Sequence, residues 1–235
     1  MLASGATGTG KTLLVTQFMA GGLANGERAL LFAFEESRQQ LFRNAKSWGM
    51  DFEQLERDGH LMVVNQYPHA QPLEDHLVLM KQVMSDFKPN RVAVDSLSAL
   101  ERISTLRGFR EFVISLTSYL KATETTALFT STTTNLLGGG SVTEKHISTL
   151  TDSIILLRYI EVRGEMRRGI TVLKMRGSAH DKAIREYTID GEGMHIGMPF
   201  RNLTGVLSGR GIPHSDEAVA PDADVERSGR GSSGE

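Results

Sequence analysis

Residues Gly5-Ala6-Thr7-Gly8-Thr9-Gly10-Lys11-Thr12 spell G-x-x-x-x-G-K-[ST], the phosphate-binding loop, almost at the first residue of a 235-residue chain. Each position of this signature has a mechanical task. Gly5, Gly8 and Gly10 let the backbone turn tightly around an anion with amide N–H groups pointing inward. Lys11 supplies a point charge for the β- and γ-phosphates, and Thr12 offers a hydroxyl to Mg2+. From Leu13 onward the apolar residues Leu14, Phe18 and Met19 predict a helix, whose positive end faces the phosphates. A glycine-rich turn that carries a lysine by chance is the plainer reading. It leaves unexplained why every specified position matches and a helix follows. Thr7, Gly8, Thr9, Gly10, Lys11, Thr12 and Leu13 are therefore the first candidate nucleotide-binding residues, with ATP and Mg2+ as expected ligands.

Only Met1-Leu2-Ala3-Ser4 precede the loop. A phosphate loop normally follows a buried central strand, and such strands run to about five or six residues. Either the sheet tolerates a stub or the chain is the cut-off second half of something longer. The second reading is the expectation.

Composition sets ordinary limits. At 235 residues the chain suits one domain with a real core. With 40% hydrophobic and 23% charged residues, it reads as a soluble globular chain. A net charge of −2 excludes a strongly basic nucleic-acid coat, though not a local basic groove. No apolar run approaches the ~18 residues of a membrane helix. Met1-Leu2-Ala3 leads straight into the loop, so no leader peptide is expected. The absence of cysteine excludes disulfides, thiolate metal sites and a cysteine nucleophile. A cytoplasmic location is the expectation, although lack of cysteine is compatible with several compartments.

Strand and helix patterns alternate along the first half. Strands are predicted at 28–34 (RALLFAF), 61–65 (LMVVN), 91–95 (RVAVD) and 127–131, and helices at 37–48, 73–87 and 109–122. After Asp152 the pattern changes to hairpin-connected strands at 154–162, 169–175 and 184–189. A mainly parallel α/β sheet with C-terminal antiparallel strands follows. From about Ser208 the chain is rich in Gly, Ser, Pro and Asp, and residues 205–235 are expected to be a disordered tail beyond a domain at 1–204.

Two further features point to chemistry. Asp95 emerges from an apolar strand at its C-terminal end, where α/β sheets bind ligands. A strand ending in Asp at a turn is common, but downstream of a complete phosphate loop the carboxylate is placed for Mg2+. Glu35-Glu36 follows the RALLFAF strand at the same sheet edge. A carboxylate there can orient or deprotonate a nucleophile attacking the γ-phosphate. Acidic residues before a Ser37 helix cap are also favoured by the helix dipole, and the two readings are compatible. Lys11, Glu35 and Glu36 are the catalytic candidates, and Thr12, Glu35 and Asp95 the candidate metal contacts.

The runs GATGTGKTLLV, LLFAFEESRQQLFRNAKSWGMDFEQLER, DFKPNRVAVDSLSALER, HISTLTDSIILLRYIEVRGEM and KMRGSAHDKAIREY resemble the C-terminal, second RecA-like ATPase domain of the KaiC family of circadian clock proteins. The resemblance extends from the loop to about Asn202. It implies a RecA-like P-loop NTPase fold, a homo-hexamer with ATP between subunits, and a serine/threonine autokinase with ATPase activity. It implies Ser148 and Thr149 as phosphoacceptors, Thr143 as a third nearby hydroxyl, and Glu35 as general base. It places Trp48 near the adenine. Arg168, Lys174, Met175, Arg176 and Ser178 would form an edge reaching ATP in the adjacent subunit. Lys174 and Arg176 alternate at the end of an apolar strand, as same-face neighbours should. The chain departs from the family at Ser131 and Thr134, where Asn and Asp are usual, at a more glycine-rich 136–140 loop, at Glu144 for aspartate, and at Ala179 for an aromatic. The tail diverges most, and in the family that region binds an activator, so clock partner proteins are an open expectation.

Two other classes fit parts of the sequence. A RecA/RadA-like DNA-dependent ATPase needs a basic groove with mobile loops. The 136–140 loop has only Lys145 and His146 as nearby basic residues, so nucleic acid is not the expected partner. A non-enzymatic nucleotide-switched signalling module would use ATP as ring glue, and the intact Glu35-Glu36 pair argues against it.

Overall fold

The run Ala29–Ala33, strand β2, is buried at every position, so its apolar stretch does not alternate in water exposure. It alternates between two cores instead. Leu30, Phe32 and Phe34 enter one core and Ala29, Leu31 and Ala33 the other, because successive strand residues point to opposite faces. Neighbouring β4 (Arg91–Asp95) repeats the division, with Val92 and Val94 on one face and Ala93 on the other. These observations come from a computed structural model that describes residues 1–133, 150–200, 203–204 and 210–213, with side chains described for 1–133 and 150–200.

Six strands run parallel: β1 (Leu2–Gly5), β2, β3 (Leu61–Asn65), β4, β5 (Thr126–Thr132) and β6 (Ser153–Val162). Three more extend the sheet antiparallel: β7 (Glu165–Met175), β8 (Arg185–Asp190) and β9 (Gly193–Pro199). The order across the sheet is β3-β2-β4-β5-β1-β6-β7-β8-β9. Helices α4 (Leu73–Phe87), α5 (Leu97–Glu101) and α6 (Leu106–Ala122) cover one face, contributing Met80, Leu97, Phe109, Phe112 and Leu116. Helices α1 (Lys11–Leu23), α2 (Arg38–Ser47) and α3 (Phe52–Arg57) cover the other with Val15, Met19, Leu41 and Phe52. The fold is the expected α/β architecture, a RecA-like P-loop domain with a mostly parallel sheet and antiparallel C-terminal strands.

The four-residue β1 is fully buried between β5 and β6, so the sheet accommodates the stub as a central strand. Helix starts follow their caps. Ser37 Oγ accepts from the Gln40 N–H at 3.3 Å, Asp51 Oδ1 from Gln54 at 3.0 Å and Thr105 Oγ1 from Gly108 at 3.1 Å. The Thr105 cap explains why α6 begins three residues before its apolar periodicity suggests. Helices α3 and α5 span under two turns and leave no periodic signal. The short strands β10 (Leu203–Thr204) and β11 (Arg210–Pro213) pair with each other, and β11 also runs beside β6 at Glu161 and Val162. Strand β11 falls within the stretch expected to be structureless from about Ser208. Strand β6 has ten residues and β1 four, which leaves a length of β6 edge for β11 to pair. The remaining tail lies outside the described residues.

Helix α1 is packed from two sides. Val15 and Met19 join the sheet core, while Leu13 joins Leu157 of β6 and Ile170, Tyr187 and Met194 of the antiparallel extension. That extension also carries Met166, Leu173, Met175, Ile196 and Met198 exposed. Among the described residues no helix is long and apolar enough to cross a membrane. Phe32 is wholly buried at the centre of the larger core. Phe32→Ala is expected to lower the unfolding free energy by about 3–5 kcal/mol, measured by urea denaturation.

Candidate functional site

Strand β1 delivers the chain to the C-terminal edge of the sheet and α1 carries it away, with the loop between them. Gly10, the residue before α1, stands at φ 87°. A β-carbon there would also lie 2.7 Å from Ile189 Cδ1, and one on Gly5 would lie 2.4 Å from the Leu157 carbonyl oxygen. Gly10 is therefore required by conformation, and Gly5 by space. The Lys11 ammonium donates to the Gly5 and Ala6 carbonyls at 3.0 and 2.9 Å, folded against its own loop. Burial lowers its pKa, countered by the nearby Asp95 and Glu35.

Asp95 ends β4, separated from the loop-bearing strand β1 by β5. Thr12 Oγ1 donates to one carboxylate oxygen at 2.7 Å, and Thr130 Oγ1, from β5, donates to the other at 2.5 Å. Burial raises the Asp95 pKa, and these two hydrogen bonds oppose the rise. Ala33 pairs with Asp95 across the β2–β4 ladder, so Glu35 and Glu36 leave β2 just beyond it. Glu36 accepts from Asn44 Nδ2 at 3.2 Å, and burial raises its pKa, with Asp95 and Glu35 adding to the effect. Glu35 accepts from Arg102 at 3.1 Å. Both side chains of that pair reach solvent, so it contributes little stability and can open.

Around these groups lies a cavity of about 400 Å³. Its walls include Thr7, Gly8, Gly10, Lys11, Thr12 and Leu13 on one side, Glu35, Glu36 and Asp95 on another, and Trp48 and Arg168 at the rim. The volume falls within the range of small-molecule sites. Thr9 is buried away from it, with its hydroxyl donating to the Ala6 carbonyl at 2.8 Å. A larger cavity of about 570 Å³ lies between α2 and α3, beside Phe42 and Phe52, and has no phosphate loop.

The other expected site residues divide. Arg168 lines the chain's own cavity rather than standing with the group expected to reach a neighbour. Lys174, Met175, Arg176 and Ser178 lie at or beyond the far end of β7, where Met175 pairs with Ser153 at the start of β6. At about 3.3 Å per residue, that is roughly 20 Å along the strand from Arg168. Lys174 donates to the Thr151 carbonyl at 2.9 Å, and Arg176 lies 3.9 Å from the Asp152 carboxylate. Ser148, Thr149 and Thr143 lie outside the described residues, as do Thr134, Glu144 and the 136–140 loop. Sequence reasoning missed Thr130, Arg102, Asn44 and Tyr187. A threonine in a strand or an arginine after a short helix carries no local signal; only the register of the sheet brings these residues to the site.

The donor set suits Mg2+. Among the described residues no cluster of three or more His, Asp or Glu could hold a metal by itself. A threonine hydroxyl hydrogen-bonded to a carboxylate, with two further carboxylates lining the same cavity, presents the hard oxygen donors that such an ion takes. Mg2+ is commonly held by one or two carboxylates together with waters and phosphate oxygens.

A phosphate loop and a carboxylate-ended strand facing one cavity define a RecA-like P-loop ATPase domain. The family model described as "ATPase: KaiC" matches residues 1–200, and the chain belongs to that family. It is 69% identical over 209 residues to circadian clock protein KaiC3 of Synechocystis sp., covering 89% of this chain and 41% of that protein. It is 58% identical to the circadian clock oscillator protein KaiC of Thermostichus vulcanus and 57% to that of Synechococcus elongatus, covering 89% of this chain and 40% of each of those proteins. The chain thus spans about two fifths of the length of these relatives.

Gly10→Ala would force a left-handed backbone on alanine and drive its methyl into Ile189. The variant is expected to lose most nucleotide affinity and to melt at lower temperature, because a left-handed non-glycine residue costs about 1–2 kcal/mol before any clash. Titration with a fluorescent ATP analogue checks the first and calorimetry the second.

Proposed function

We propose that this chain is an ATP-dependent serine/threonine autokinase with ATPase activity, corresponding to the second domain of its longer relatives and working as a homo-hexamer with ATP between subunits. The observation that carries the reading is the single cavity gathering Lys11, Thr12, Asp95 and the Glu35-Glu36 pair. Phosphoryl transfer needs little covalent chemistry from protein; positioning and charge neutralisation do most of the work. Loop amides and Lys11 hold the phosphate chain, and Trp48 flanks the adenine. Thr12 and Asp95, with Glu35 nearby, would hold Mg2+, which supplies further neutralisation of phosphate charge. Glu35 takes the proton from the acceptor hydroxyl of Ser148 or Thr149, or of Thr143, as the oxygen bonds to the γ-phosphorus and ADP leaves. Glu36, fixed by Asn44, keeps a second carboxylate beside it.

Assembly follows from the division of the cation sets. Lys174, Met175, Arg176 and Ser178 are too far from their own loop to serve it, and they suit a neighbour's nucleotide. Exposed Met166, Leu173, Met175, Ile196 and Met198 on the same extension give an apolar surface for such contacts. The names of the relatives support a role in circadian timing.

Lys11→Ala is expected to abolish nucleotide binding and turnover, and retained ATP affinity would remove the loop from the mechanism. Glu35→Gln keeps the size of the side chain without its basic oxygen. It is expected to slow phosphorylation by about 10²–10⁴ while ATP stays bound, followed by mass-spectrometric phosphosite mapping after incubation with Mg·ATP. Phosphate found only elsewhere, for example at Ser228, Ser232 or Ser233, would show that the acceptor assignment is wrong. For trans geometry, Arg176→Ala subunits are mixed with Ser148→Ala/Thr149→Ala subunits and the labelled chain is identified. A protein that stays monomeric at every concentration with a non-hydrolysable ATP analogue would remove the ring.

A further inference from the structure

Tyr187 stands on β8, far along the chain from the phosphate loop. Its hydroxyl nevertheless donates to the Thr9 carbonyl at 2.5 Å, bridging a sequence separation of 178 residues. The side chain is 2% exposed and packs with Leu13, Leu157, Ile170 and Met194. Burial pushes the phenol above its ordinary pKa, so it remains a protonated donor at neutral pH.

The Thr9–Gly10 peptide is trans, and a trans peptide holds its C=O and N–H on opposite sides. With the Thr9 carbonyl pinned toward β8, the Gly10 N–H points the other way, and Gly10 lines the nucleotide cavity. Among the described residues no backbone acceptor takes that N–H, whereas the Thr9 N–H already donates to the Ala6 carbonyl at 3.4 Å and the Thr9 hydroxyl to the same oxygen. One peptide N–H is thus left for a ligand and its orientation is fixed from behind. The surroundings agree. Ile189 and Met194 close beneath Gly10, and the Tyr159 hydroxyl lies 2.7 Å from where a β-carbon on Gly8 would sit. The loop rests on the antiparallel extension as on an anvil.

We propose that Tyr187 is a positioning residue of the nucleotide site, orienting the Thr9–Gly10 peptide so that the Gly10 N–H donates to a phosphate oxygen of the bound nucleotide. The inference rests on the reading of this loop as the ATP site and adds a residue that the loop signature does not contain. A buried tyrosine that merely satisfies its hydroxyl on the nearest carbonyl would affect folding stability and leave nucleotide affinity alone.

Tyr187→Phe keeps the ring and removes the hydroxyl. ADP and ATP affinities are measured by calorimetry, with thermal melting alongside, and the Gly10 amide is followed in nitrogen-15 NMR spectra during ADP titration. The expected result is a loss of about five- to tenfold in affinity for both nucleotides, the scale of one net hydrogen bond. In the wild type the Gly10 amide proton moves downfield on ADP addition; in the variant it moves less. Unchanged affinity, or an undiminished Gly10 shift, overturns the proposal whatever happens to the melting temperature. If the variant does not fold, a wild-type Gly10 amide that fails to move on ADP addition overturns it equally. Lys11→Ala separates the two levels. If that variant keeps its affinity, the loop is not the nucleotide site. If it loses affinity while Tyr187→Phe does not, only the role of Tyr187 is lost.

Discussion

The hydrogen bond from Thr12 to Asp95 joins the two halves of the site, 83 residues apart in sequence. A carboxylate set into the top of a buried sheet is costly unless donors compensate it. Thr12 reaches it from the first turn of α1 and Thr130 from the strand between. Lys11 adds a charge nearby, and its own burial is tolerated because Asp95 and Glu35 stand close. Remove this arrangement and the loop loses its tie to β4. The spacing of the sheet thus sets the spacing of the chemistry: one strand separates the loop from Asp95, and β2, on the far side of β4, brings the glutamate pair to the same edge.

Much of this was legible in the sequence because buried parallel strands announce themselves. LMVVN and RVAVD are apolar runs of the right length between helical patterns, and both form strands with the expected bounds. The helix at 73–87 shows a clear apolar face and also forms as expected. What failed was short or non-local. Leu97–Glu101 and Phe52–Arg57 have too few turns to show a period. Strand β9 has exposed apolar residues at Ile196 and Met198, so its pattern does not alternate with burial. Strand β11 exists because a neighbouring edge lacks a partner, which is a property of β6 rather than of residues 210–213.

The site divides in the same way. Residues placed by a contiguous motif, such as Lys11 and Thr12, were legible directly as neighbours lining one cavity. Asp95 ends a strand and Glu35-Glu36 closely follow one, and strand ends mark the ligand edge, so their place at the same cavity was legible too. Thr130 and Tyr187 were not, because each acts through a single hydroxyl on a group distant in sequence. Arg168 and Lys174 sit on one strand, and their separation becomes visible only once the strand is laid against β6, where Tyr159 faces the first and Ile154 the second. A linear motif that spans both does not reveal that they belong to opposite ends of the sheet.

The register of β1 also dictates an order of events in folding. Leu2 pairs with Phe129 on one side and Ile154 on the other. Within this domain that strand is made before either of its partners, and it stays unpaired until well over half of the described residues have been made. Its contacts are among the most non-local in the molecule, and non-local pairing is slow because loop-closure entropy must be overcome first. The phosphate loop inherits this delay, because its geometry depends on β6 beneath Gly5 and on β8 beneath Thr9. Nucleotide is consequently a ligand of the finished domain, and the completed fold gains stability from binding it.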